Sequence, residues 1–304
     1  MPSLVNETSN VKSFTTRKRK TLFSQIFKSR TGVLGLFILT LVVLIALLAP
    51  FISPHDPAKV DITATLLPPS WVEGGSAEHL LGTDNMGRDL LSRIIYGSQI
   101  SLLVGISSVV VAGLIGVLIG LVSGYYGGWI DNVLMRIVDA FLSIPNILFT
   151  LVILGIFGPS LITLILVIGA TNWVNYARIV RSEVLSLKER EFVKAAKTMG
   201  VRDFFILFRH LLPNVVSSLS VVSTLSVATT IILEASLSFL GLGIKPPDVS
   251  WGGILSDGRD YLATHWWVAT FPGLAITITV LGIILVGDWL RDIFDPRSNI
   301  QNDI

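Results

Sequence analysis

The sequence predicts an all-α membrane protein with six transmembrane helices and both termini cytoplasmic. Three observations predict it. Of 304 residues, 51% are hydrophobic and only 14% are charged, where a soluble domain carries roughly 25%; mean hydropathy is +0.72. Long apolar runs recur, each able to cross about 30 Å of hydrocarbon. Lys and Arg fall on alternate connections: 18 of the 23 lie in segments assigned to the inner side, leaving Lys59, Arg88, Arg93, Lys245 and Arg259 outside, as the positive-inside rule requires. The chain has no Cys, which excludes a disulfide framework, a zinc knuckle and thiol chemistry. The net charge of +2 is explained by topology and implies no nucleic-acid partner.

Four segments follow: a cytoplasmic tail at 1–30, a first transmembrane helix with an outer loop at 31–97, a five-helix core at 98–291 enclosing an inner loop at 184–214, and a cytoplasmic tail at 292–304. The first tail carries Lys12, Arg17, Lys18, Arg19, Lys20, Lys28 and Arg30 against Glu7. Residues 31–53 are uncharged and form the first span; the apolar run is too long for a cleaved signal peptide. The loop at 54–97 is irregular, with Pro54, Pro57, Pro68, Pro69 and Gly74-Gly75. Within it, His79-Leu-Leu-Gly-Thr-Asp84, Gly87-Arg88-Asp89 and Leu91-Ser-Arg93 read as a fixed turn before a helix, with no metal-ligand spacing.

The second span is placed at 98–123. Ala112, Gly116, Gly120 and Gly124 recur every fourth residue, a stripe that lets helix backbones approach closely in lipid. Tyr125, Tyr126 and Trp129 suit the interface. The third span, 132–156, carries Asp139 and Pro145; Gly158-Pro159 is an outer turn; the fourth span, 161–183, carries Asn172 and Asn175. The fifth, 215–240, carries Glu234. Pro246-Pro247 opens an outer loop, and His265, Trp266 and Trp267 return the chain to the interface before the sixth span at 267–287.

The inner stretch Glu191–Asn214 is the most charged piece of this apolar chain. Phe192, Ala195, Ala196 and Met199 share one helical face. Gly200 ends that helix and Asp203 can cap a second. The second helix presents Phe204, Phe205, Phe208, Leu211 and Leu212, and Pro213 stops or kinks it. Read by itself, this is also what a helix lying on the membrane surface looks like.

The spacing Ala195-Ala196, Gly200, then His210-Leu-Leu-Pro213 resembles the EAA loop of ABC importer permeases. Lys194 stands where that motif begins with Glu, and His210 where it has Ile. The outer stretch at 79–97 resembles the HxLGTDxxGRDxxSRxxYG segment of the peptide/nickel branch. Glu234–Gly243, Trp251-Gly252, Phe271-Pro-Gly273 and Gly287–Asp292 also fit, and Leu66–Trp71 with Gly74–Ser76 reads closest to the second subunit of dipeptide permeases.

The resemblance implies a type I ABC importer permease fold in a bacterial inner membrane. It implies a second homologous permease subunit, two cytoplasmic ATPase subunits, an external substrate-binding protein and surrounding lipid as partners. ATP and Mg would belong to the ATPases, with no cofactor in this chain, which also lacks a G-x-x-x-x-G-K-[ST] loop. The ATPase-coupling residues would be Glu191, Phe192, Ala195, Ala196, Met199, Gly200, Leu212 and Pro213, with Glu191 supplying a carboxylate one turn before Lys194. Peptide, most closely dipeptide, is the implied cargo; nickel complexes, glutathione and haem are alternatives within the branch.

Within the spans, Glu234, Asp139 and Asn172 are the pathway candidates, since polar and ionisable groups in a bilayer face a cavity or a partner. Each has a structural reading: helix packing for Glu234, pairing with Arg136 for Asp139, interhelical hydrogen bonding for Asn172 and Asn175. A stand-alone secondary transporter would favour paired intramembrane charges or inverted repeats. An intramembrane enzyme would need a nucleophile with a base, or a His-Glu-x-x-His helix. The sequence has neither.

Overall fold

The computed structural model describes residues 29–294. The basic residues of the first tail up to Lys28, and the second tail beyond Phe294, lie outside the described residues. Among the described residues there is no β-strand beyond one isolated Thr83–Asp89 bridge.

Helix α1 (Arg30–Ile52) is capped by Ser29, whose Oγ accepts from Gly32 N at 3.2 Å. Helix α2 (Leu90–Tyr126) has 37 residues and extends past both ends of the span placed at 98–123. Its N-terminus is set by Asp89, which accepts from Ser92 N at 2.8 Å. Arg93, in the first turn, had excluded this end from an apolar window; its charge is neutralised by ion pairing instead.

The third span is not a straight rod. Helices α3 (Gly128–Leu142) and α4 (Asn146–Phe157) meet at 83°. The break lies at Pro145, which has no N–H to continue α3 and disfavours helical backbone at Ile144. Five helices are long and apolar enough to cross a membrane, and the count becomes six with this bent pair taken as one span.

Helix α5 (Leu161–Leu187) is capped by Ser160. After the short α6 (Glu191–Thr198), α7 runs for 40 residues (Asp203–Leu242). Pro213 neither stops nor ends it. It falls in the first turn of the α-helical segment Leu212–Leu237, where a missing N–H costs little. The wider π-helical turn at Ile206–Leu211 accommodates the ring without breaking the run. Helix α8 (Trp251–Gly258) is capped by Ser250, and α9 (Trp267–Phe294) follows.

Helices α2 and α5 form the central pair. The small-residue stripe lies in their contact, as expected. A Cβ on Gly120 would meet Ala177 O at 2.6 Å, and one on Gly124 would meet Val184 Cβ at 2.8 Å, so only glycine permits this spacing. Helices α7 and α9 pack on the other side, with α1 against α2 and α9. At one end, α8 packs against α2, α7 and α9 around Trp251, Ile254 and Trp267. Trp267 is therefore core rather than interface: it is 6% exposed, and its Nε1 donates to Thr83 O at 3.3 Å.

Candidate functional site

Helix α6 sits on the ends of α2, α5 and α7 farthest from α8. Val193 and Ala196 point inward and pack with Val184, Ile206, Leu207 and Leu211. Phe192 and Met199 are 41% and 76% exposed, and Ala195 is exposed between them. The expected face of Phe192, Ala195, Ala196 and Met199 is thus split. Three of the four form an outward strip and Ala196 belongs to the core. Val193 was passed over because one short helix can be amphipathic in two directions at once.

Gly200 lies at φ +76°, the left-handed region that a side chain disfavours. There Val201 N returns to Ala196 O at 3.1 Å and Gly200 N to Lys197 O at 3.1 Å, which closes the helix end. Asp203 does not cap α7; it lies inside the first turn, and its Oδ1 accepts from Tyr125 Oη at 2.6 Å. The knob is thereby tied to the end of α2. Lys188 Nζ adds a second tie, donating to Gly124 O at 2.8 Å.

The second apolar face is also divided. Phe204, Phe205 and Phe208 are 65%, 51% and 39% exposed, while Leu211 is fully buried and Leu212 half-buried. The π turn shifts the helical phase and separates the two sets. Pro213 is exposed.

The carboxylate facing Lys194 is Glu189, at 2.9 Å, not Glu191. The hydrogen bond and charge of Lys194 hold the Glu189 carboxyl below the usual range. Glu191 is an exposed acid in the first turn of α6, where the helix dipole favours a negative charge.

At the opposite end, the Gly-Thr-Asp/Gly-Arg-Asp stretch forms an ionic lock. Asp84 is fully buried. Its Oδ2 accepts from Arg88 Nε at 2.7 Å and from Arg93 Nη1, and its Oδ1 accepts from Met86 N and Arg88 N. Both guanidiniums also reach Asp257 Oδ2 on α8, at 3.1 Å and 3.0 Å. Two cations and two carboxylates thus balance in a buried cluster that joins the 54–89 loop to α8.

Of the pathway candidates, Glu234 is 1% exposed. Its Oε1 accepts from Ser238 Oγ and Ser250 Oγ, each at 2.8 Å, and Ser250 Oγ accepts from Gly253 N at 3.0 Å. The carboxylate is buried at the α7–α8 junction, and its Oε2 has no hydrogen-bond partner among the described residues. Asn172 Oδ1 accepts from Asn146 Nδ2 at 3.0 Å, joining α5 to α4. Asn172 and Asn175 border a small polar cavity with Ser108, Ser226 and Thr229. Asp139 is exposed on α3 and forms no ion pair with Arg136 among the described residues. The pair that does form there is Asp131–Arg181, at 2.5 Å and 2.6 Å. Sequence spacing along one helix could not reveal this contact between two.

Residues 116–300 match the family described as binding-protein-dependent transport system inner membrane component. Residues 20–69 match the N-terminal TM domain of oligopeptide transport permease C. The chain is similar to the di/tripeptide transport system permease protein DppC of Pseudomonas aeruginosa, with 42% identity over 276 residues, covering 90% of this chain and 91% of that one. It is 42% identical over 272 residues to the dipeptide transport system permease protein DppC of Haemophilus influenzae, covering 89% and 92%. A chain from the inward-facing MetNI methionine ABC transporter superposes with TM-score 0.54 at 21% identity, over 68% of this chain and 98% of that one, and supports the type I importer fold.

Proposed function

The chain belongs to the family of binding-protein-dependent transport system inner membrane components, and from that premise we propose that it forms one half of the pathway of a dipeptide importer. Membership makes it a multi-pass inner-membrane permease subunit rather than an enzyme. ATP is hydrolysed in a separate subunit, and the fold implies ATPase partners and a partner permease. In the proposed assembly that partner is a homologous chain, two ATPases bind beneath α6, and an external binding protein delivers the peptide.

The observation that carries the coupling role is the outward strip of Phe192, Ala195 and Met199. It stands on a helix whose other face is anchored in the core and whose end is fixed by Gly200. Docked into a groove on an ATPase, such a helix buries its apolar side chains and passes the ATPase's movement to α2 and α7 through Asp203 and Lys188. Glu191, Leu212 and Pro213 complete the proposed contact. The relatives' names point to dipeptide and di/tripeptide cargo.

The test is a complex reconstituted in lipid with its ATPases, partner permease and binding protein. Dipeptide-loaded binding protein is expected to raise ATP turnover and drive dipeptide uptake. Stimulation by a nickel complex, glutathione or haem, with none by dipeptide, would overturn the cargo.

A further inference from the structure

We propose that His55, His79 and Asp89 form a binding site for a divalent transition-metal ion, Zn2+ foremost, at the end of the bundle opposite the coupling helix. The sequence conceals this site. His79 and Asp89 stand in one turn without metal-ligand spacing, and His55 precedes them in a proline-rich loop. Folding brings one donor atom from each within 4.8 Å of the others.

The geometry is that of a partly closed coordination shell. His79 Nδ1 lies 2.9 Å from Asp89 Oδ1, and His55 Nδ1 lies 3.8 Å from Asp89 Oδ2. The imidazole rings are 4.9 Å apart and tilted by 38°. Ligands about 2.0–2.1 Å from a tetrahedral zinc are separated by roughly 3.3–3.5 Å, within the observed range. A second observation points to a ligand: His55 Nδ1 is buried and has no hydrogen-bond partner among the described residues. A buried nitrogen without a partner is disfavoured, and a cation between it and Asp89 would satisfy it.

The donors are also held from behind. Asp89 Oδ2 accepts from Ser92 N at 2.8 Å and Ser92 Oγ at 2.6 Å. Ser92 Oγ accepts from His55 N at 3.0 Å, and Ser53 Oγ donates to His55 O at 2.7 Å. Backing hydrogen bonds of this kind orient metal ligands.

Donor chemistry selects the ion. Two imidazoles and one carboxylate suit Zn2+, Ni2+ or Cu2+. Mg2+ and Ca2+ require more oxygens. Three protein ligands leave a fourth position for water, and the His55 side chain, 33% exposed, gives access to it. Binding needs an unprotonated nitrogen on each imidazole facing the ion. A bound ion would fasten the segment after α1 and the outer turn to the capping residue of α2. The site is independent of the cargo.

The test uses the full chain in its assembled complex in lipid nanodiscs, stripped with chelator and titrated with Zn2+. Wild type is expected to bind one Zn2+ more than complexes carrying His55→Ala or His79→Gln, whose affinity at this site falls about tenfold or more. Asp89→Asn keeps a capping side chain and is expected to lose affinity likewise. His210→Gln and His265→Gln are expected to change nothing. X-ray absorption should show imidazole and oxygen ligands at about 2.0–2.1 Å. Assembly by size exclusion checks that each variant folds. Equal Zn2+ binding by wild type, His55→Ala and His79→Gln, or equal competition by Mg2+, would overturn the proposal and leave only a His79–Asp89 hydrogen bond.

Discussion

Arg93 on α2 donates to Asp257 on α8 at 3.0 Å across 164 positions of sequence. This contact, shared with Arg88, ties the 54–89 loop to the helix that packs behind Glu234. Its two acids are not equivalent. Asp84 is fully buried, whereas the Asp257 side chain is 37% exposed. Asp84→Ala leaves two buried guanidiniums with only the partly exposed Asp257 as counter-ion and is expected to cost about 3 kcal/mol. Asp257→Asn keeps Asp84 as counter-ion and, with solvent screening, is expected to cost about 1 kcal/mol or less. Folded yield and thermal unfolding in detergent measure both, and equal losses would contradict the asymmetry.

Gly200 sits at φ +76° with nothing within 4 Å of where a Cβ would stand. A substitution there is therefore opposed by backbone conformation and not by a clash. Gly200→Val is expected to uncouple transport from ATP hydrolysis, or to lower ATPase co-purification about tenfold. Gly200→Asn, which tolerates the left-handed region, should retain most of both.

Lys194→Glu restores the first letter of the motif but sets a carboxylate beside Glu189. It is expected to reduce peptide-stimulated ATP turnover up to about fivefold, the scale of an exposed ion pair. The double exchange Glu189→Lys with Lys194→Glu should recover it. A Glu189 carboxyl held low means that the pair persists above the ordinary carboxylate range and is lost as pH falls through its own depressed value. Its contribution should also shrink with added salt. Glu191→Ala, which leaves this pair intact, tests the first-turn charge separately.

Glu234 accepts two hydroxyl hydrogen bonds through one oxygen. Glu234→Gln can preserve both, so assembly and transport are expected to stay within about twofold of wild type, whereas Glu234→Leu strands both serines at a cost of about 1–3 kcal/mol. Uptake and complex recovery distinguish the two variants. Normal assembly with abolished uptake in Glu234→Gln would return the residue to the pathway.

The absence of cysteine makes single-cysteine labelling direct. Cysteine at Glu73 should react with an impermeant reagent from outside intact spheroplasts, and cysteine at Lys197 only after lysis. Labelling of position 197 from outside would invert the topology.

Much of the fold was legible because membrane spans announce themselves by composition and length. The small-residue stripe was legible because its period alone implies close packing. What escaped were features set by contacts between elements. The early start of α2 was hidden by Arg93, whose charge is cancelled by distant Asp257. The two-sided burial of α6 was hidden because Val193 and Ala196 are apolar for one partner and Phe192 and Met199 for another. The bend at Pro145 was visible as a residue but not as an angle. The Asp131–Arg181 pair joins two helices, which no intrahelical spacing encodes.

At about 1.5 Å per residue, α2 is roughly 55 Å long, nearly twice the hydrocarbon thickness. It touches the knob at Tyr125 and the ionic lock at Arg93. Mechanically it is a beam loaded at both tips and pivoted where its glycines press on α5. With the pivot near Gly120, about 8 Å from Tyr125 and about 40 Å from Arg93 at that rise, a tilt of about 5° would move the Tyr125 end by roughly 0.7 Å and the Arg93 end by roughly 3.5 Å in the opposite direction. A nudge delivered beneath would then arrive above as strain on the salt-bridged cluster, with no signal relayed residue by residue.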